Sequence, residues 1–122
     1  MKDLRIGYTT TTGGAATELG ERAVHGKLYA VDYLPGTTAT GATITLTDEG
    51  LMSHTLLVKA SAGTSNTRYY PRDLVHAAAD GAALTGTSGG DRACPLIAGV
   101  PKLVVASGGS AKSGAVVLHY EE

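Results

Sequence analysis

The strongest constraint on this chain is the rhythm of its apolar residues, which alternate with polar ones over short runs. Gly, Thr, Ser and Pro interrupt each run after a few residues. Residues 42–47, ATITLT, show the pattern most clearly: Ile44 and Leu46 fall on one side, and Thr43, Thr45 and Thr47 on the other. A strand turns successive side chains to opposite faces, so this run predicts a strand with an apolar inner face and a hydroxyl outer one.

The same reading finds further strands along the chain. Residues 4–8 alternate and form a first candidate. Residues 24–34 (VHGKLYAVDYL) form a long one, with Leu28, Ala30, Asp32 and Leu34 on one face and Tyr29, Val31 and Tyr33 on the other. Pro35-Gly36 ends it in a turn. Residues 54–60 (HTLLVKA) give another strand. Residues 67–72 (TRYYPR) begin extended, and Pro71 confines them to an edge or a strand end. Residues 102–106 and 114–120 are the final pair, and the Gly-rich SGGSAKS between them reads as a hairpin connection. The Ala-rich residues 74–84 fit either a short helix broken by Gly81 or a long excursion, and residues 85–91 read as a loop.

About seven to eight short strands at such intervals predict an all-β fold, an antiparallel β-sandwich or barrel, in one domain over residues 1–122. A parallel α/β fold is disfavoured, because no helical pattern of roughly 10–15 residues repeats between strands. Residues 1–16, which end in the flexible TTTTGGAA, are expected to serve as an extended N-terminal arm.

The core must be built from modest side chains, since the chain has no Phe, no Trp and six Tyr. Each small side chain buries little area, at roughly 25 cal/mol per Å². Seventeen Gly add backbone entropy to be lost on folding. Either a compact core suffices alone, or the monomer is marginal and gains burial from neighbouring subunits. Charged residues are 17% of the chain, below the roughly 25% of ordinary globular domains. With a net charge of -1 and no charge run, no basic face for nucleic acid is expected. A neutral, Thr-rich surface suits packing against protein instead. Residues 1–16 contain no apolar stretch of the kind a signal peptide carries, and no run reaches membrane-spanning length, so a membrane partner is not expected and folding in a cytoplasm is.

The residues carry no catalytic signature. No G-x-S-x-G elbow is present. His25, His54, His76 and His119 stand apart in sequence, without the close spacing of a zinc site. The Gly-rich stretches lack phosphate-loop spacing. Cys94 is single, which excludes an intrachain disulfide, and reads as a buried thiol. Asp48-Glu49 and Glu121-Glu122 read as solvated charge. The expectation is a protein that is not an enzyme and has no catalytic residue, cofactor or metal. For a protein interface, the candidates are Arg68, Tyr69, Tyr70, Arg72 and Tyr33. Tyr and Arg are enriched at interface hot spots, and a strand ending at Pro71 puts one of its two Tyr on each face. The alternative is that both rings simply cover a core poor in aromatics.

Three pieces resemble a group of small virion proteins of tailed bacteriophages: GKLYAVDY, TRYYPRDLVHAAADGAAL, and DRACPLIAGVPKLVVASGGSAKSGAVVLHY. Together they lie between residues 26 and 120. In that group an aromatic-plus-PR element precedes a G-A-A-L element, and a terminal hairpin carries a G-G-x-x-K-x-G turn. Gly108, Gly109, Lys112 and Gly114 match that turn. The resemblance implies a virion structural role, most concretely a capsid decoration (cement) protein that binds between capsomers and stabilises the head. The implied partners are the major capsid protein and copies of the chain itself, with a trimer favoured. The implied location is the capsid surface, after assembly in the host cytoplasm. A head–tail connector or tail component is the alternative. A glycan-binding module is another, for which Tyr29, Tyr33, Tyr69, Tyr70 and Tyr120 are the available rings.

Overall fold

The alternation in residues 42–47 becomes strand β4 (Thr43–Asp48), whose Ile44 and Leu46 are buried while Thr43, Thr45 and Thr47 are half-buried. The computed structural model describes residues 1–49, 54–74 and 92–122. Among them it is all-β, with no helix. Before β4 come β1 (Lys2–Thr9), β2 (Ala16–Leu19) and β3 (Val24–Leu34). After it come β5 (His54–Lys59), β6 (Thr67–Tyr69) and β7 (Asp73–Leu74), then β8 (Arg92–Ala93), β9 (Leu96–Gly99), β10 (Pro101–Ala106) and β11 (Ser113–Glu121).

The strands form a β-sandwich of two antiparallel sheets and not a closed barrel. One sheet has five strands in the order β1-β11-β3-β6, with β9 pairing the first part of β3; the other has four, β2-β10-β4-β5. β7 and β8 form a separate two-stranded ribbon. β2 and β9 arise in segments whose sequence shows little alternation. The stretch from 75 to 91, which reads as a short helix or a long excursion followed by a loop, lies outside the described residues.

The core sits between the sheets. Leu4, Ile6 and Tyr8 of β1, Val116, Leu118 and Tyr120 of β11, and Val31 and Tyr33 of β3 meet Ile44, Leu46, Leu103 and Val105. Tyr33 and Tyr120 are the largest fully buried side chains and fill the volume that Phe and Trp would otherwise take.

Two expectations are corrected here. First, residues 1–16 are not a free arm. β1 pairs with β11 along its full length, from Lys2 against Tyr120 to Thr9 against Ser113. Alternation is the reason: every second residue of β1 enters the core, and each such side chain contributes about 1.5–3 kcal/mol on burial. Second, residues 107–113 are not a hairpin. β10 pairs with β2 and β4, whereas β11 pairs with β1 and β3, so both edges of each strand are taken by other partners. The Gly-rich stretch crosses from one sheet to the other.

Three such crossings meet at one end of the sandwich. The β1–β2, β3–β4 and β10–β11 connections bond to each other through their backbones: Thr10 N–H to Lys112 O at 2.7 Å, Ala39 N–H to Gly108 O at 2.9 Å, and Gly108 N–H to Gly14 O at 2.9 Å. The Thr10 hydroxyl donates to Gly109 O at 2.6 Å and accepts from Lys112 N–H at 2.8 Å. Loop backbone buried this way must be paired within the protein, and here the loops pair with one another. Gly36 turns the chain here at φ 55°, where a Cβ would run into the Ser113 carbonyl, so both the conformation and the space require glycine.

Candidate functional site

The two outer faces of the sandwich differ in chemistry. On the five-stranded sheet, a line of charge crosses four adjacent strands. Asp3 of β1, His119 of β11, Asp32 of β3 and Arg68 of β6 are linked side by side. His119 Nδ1 lies 2.9 Å from Asp3 Oδ1, and its Nε2 lies 2.9 Å from Asp32 Oδ2. Arg68 grips Asp32 with two bonds, Nε to Oδ1 at 2.5 Å and Nη2 to Oδ2 at 2.9 Å. The register places them: Asp3 opposes His119, and Asp32 opposes Arg68. The Arg68 fork, with help from His119, holds the Asp32 carboxyl at about 2, below the usual range, against the opposing effect of its partial burial. The His119 imidazole is raised, first by its bond to Asp32 and then by Asp3. Each group in the line is met by a partner of opposite charge, which is the arrangement of a structural clamp across strands.

Beside this line lies the segment 67–72. Arg68, Tyr70 and Arg72 are exposed on the outside of the sheet, and Tyr70 keeps 62% of its surface. The Arg72 guanidinium sits over the Tyr70 ring, 5.9 Å from its centroid, a favourable cation–π arrangement. It also donates to the carbonyls of Tyr29 and Pro71 at 3.0 and 2.5 Å. Tyr69 points the other way and packs, half-buried, against the core. The two neighbouring Tyr therefore divide between the faces as strand geometry dictates.

Tyr33, expected at an interface, is a core residue with no exposed surface. It belongs to the inward set of β3 with Val31, because the apolar face of that strand is the one that meets the other sheet. Among the described residues its hydroxyl has no hydrogen-bond partner, and burial pushes the phenol up. Tyr120 is likewise buried. Of the rings considered for glycans, Tyr29 and Tyr70 reach the surface of one depression of about 210 Å³.

The outer face of the four-stranded sheet is nearly uncharged. By register, Leu19, Lys102, Thr47 and Thr55 form one row across it, and Thr17, Val104, Thr45 and Val58 the next. Leu19 and Val58 each keep 59% of their surface. Lys102 is the charged member of these rows, and Glu49 holds its ammonium at 3.0 Å. A shallow depression of about 510 Å³ opens between Thr17, Leu19, Val100 and the Lys102–Glu49 pair.

Sequence reasoning missed several placements. Asp48, read as solvated, is buried, and its two carboxylate oxygens accept His54 N–H at 2.9 Å and Ala98 N–H at 3.2 Å. Cys94, read as buried, is half-buried. His119 gave no sequence signal, because its partners lie 116 and 87 residues away. Among the described residues no group of three or more His, Cys, Asp or Glu is arranged to hold a metal ion, and no helix is long and apolar enough to cross a membrane.

Compared with protein-family models, curated proteins and solved structures, the chain matches none.

Proposed function

We propose that this chain is a structural protein of a tailed-bacteriophage particle, and most concretely a capsid decoration (cement) protein. In this reading it binds the major capsid protein between capsomers and contacts copies of itself, as a trimer. The observation that carries the reading is the outer face of the four-stranded sheet. Its rows of Thr, Val and Leu hold one neutralised Lys, so covering it with protein strips water from few charges. The same sheet ends in β2 and β5, and strand edges at the rim of such a face give a neighbour backbone groups to pair with. The resemblance of residues 26–33 and 67–84 to small virion proteins favours the particle over other assemblies; the terminal hairpin of that group is not formed here, where residues 107–113 cross between the sheets.

The test is to add the purified chain to assembled shells that lack it and, separately, to unassembled coat protein. Binding to shells alone is expected, and Leu19→Glu together with Val58→Glu should abolish it. A chain that ignores shells overturns the decoration role. Density for the chain at the neck or tail in a whole-particle reconstruction would move it to the connector or tail.

A further inference from the structure

Strand β6 and the residues after it make a second surface, on the other sheet, which the proposal above does not use. The extended run 67–72 sets Arg68, Tyr70 and Arg72 two residues apart and therefore on one side. Depressions flank Arg68. One, of about 340 Å³, is bordered by Asp32, Leu34, Asn66 and Thr67. The other, of about 210 Å³, lies between Tyr29, Tyr70 and Arg72 over the small Ala30. β6 ends the path β1-β11-β3-β6, so among the described strands one of its edges is unpaired. The two guanidiniums also differ. Arg68 is neutralised by Asp32, whereas the partners of Arg72 among the described residues are two carbonyl oxygens and the face of Tyr70.

We infer that an extended, acidic segment of a partner protein adds alongside β6 and sets a carboxylate against Arg72 and Tyr70. Main-chain bonds to an open edge supply affinity, and pockets for alternate side chains supply sequence preference. Same-face side chains of an added strand are about 6.6 Å apart, so alternate side chains address the two depressions that flank Arg68. The planar guanidinium matches a carboxylate through two parallel bonds. The open edge favours a peptide over an acidic sugar, because a strand edge pairs with another backbone. This inference stands apart from the virion reading: shell binding through the four-stranded sheet can hold or fail without it.

The experiment uses the full chain and a fluorescein-labelled decapeptide of alternating Thr and Glu, followed by anisotropy. A peptide with Lys in place of Glu is the control, and polygalacturonate is the acidic-sugar probe. Saturable binding of the Glu peptide is expected, with none of the Lys peptide. Arg72→Gln and Tyr70→Ala should each weaken it about tenfold or more with the fold retained by circular dichroism. Lys102→Gln, on the other sheet, should leave it unchanged. Backbone amide shifts on titration should centre on Arg68 and Tyr69. Equal binding of the Lys peptide, unaltered binding by the Arg72 and Tyr70 variants, or binding of polygalacturonate in place of the peptide would each overturn the inference.

Discussion

His119 Nε2 lies 2.9 Å from Asp32 Oδ2, across the neighbouring strands β11 and β3. The other ring nitrogen is equally close to Asp3. A neutral imidazole has one N–H, so only the protonated ring donates to both carboxylates. The pairing therefore couples stability to pH in two opposite senses. His119 is raised in the fold, so its contribution is complete below the ordinary value of 6.5 and fades as pH rises through the raised one. Asp32 is lowered from 3.8 to about 2, so its contribution is complete above 3.8 and fades as pH falls toward 2. The melting temperature should peak between these limits and decline on both sides. His119→Gln should flatten the alkaline decline and shrink the acid one only in part, since Arg68 is the larger cause of the low Asp32 value; an alkaline decline unchanged by that substitution would refute the coupling. Calorimetry across the pH range measures it.

Asp48 serves as a buried bracket between the first residue of β5 and β9. Asp48→Ala leaves two amide donors without their carboxylate acceptor, at a cost of about 2–4 kcal/mol. Asp48→Asn keeps one acceptor oxygen and should lose less. Urea unfolding monitored by circular dichroism measures both, and equal losses would argue against the bracket.

The tyrosine hydroxyls inside the sandwich should respond unequally to removal. Tyr8 Oη is 2.6 Å from Thr38 Oγ1, and Tyr8→Phe strands a buried threonine hydroxyl, costing about 1–2 kcal/mol. Tyr33→Phe deletes a hydroxyl that has no partner among the described residues. It should be neutral or stabilising by up to about 1 kcal/mol, since it removes only a desolvated polar atom. Paired thermal melts decide, and a larger loss from Tyr33→Phe would contradict the assignment.

Gly114 is held to its size by its neighbours. A Cβ there would lie 2.5 Å from Tyr8 Oη and 2.8 Å from the Pro35 carbonyl. Gly114→Ala must push β11 away from the β3 turn and should cost about 1–3 kcal/mol, as overpacking does. The double variant Gly114→Ala with Tyr8→Phe should recover part of the loss, read from the same melts as a departure from additivity.

How far the sequence was legible depends on the range of the interaction. The alternation of 42–47 reads directly as a strand, because side-chain period is a local property of extended backbone. In 24–34 the strand follows but the expected facing is corrected, since a register shift opposite His119 and Tyr120 puts Leu28 in the core with Val31 and Tyr33 and leaves Tyr29 half-buried outside it. The opposite facing of Tyr69 and Tyr70 follows from the same rule. The role of residues 107–113 did not follow. A Gly-rich link between two β-branched runs fits a hairpin and a sheet crossing equally well, and the choice rested on which strands already occupied the edges of β10 and β11. The placement of Asp48 was hidden for a similar reason, since its partner Ala98 lies 50 residues away.

By itself, the amino-acid order determined the class of this protein: alternating short runs can bury an apolar face only as sheet, and a chain without Phe or Trp must fill its core with aliphatics and Tyr. The tertiary structure decided which Tyr those are, which face became the charged one and which the Thr-rich one, and that the first strand is bound into the sheet at its edge, against β11. Those outcomes depend on register between strands distant in sequence, and register is set by how two sheets pack together, which no single segment encodes.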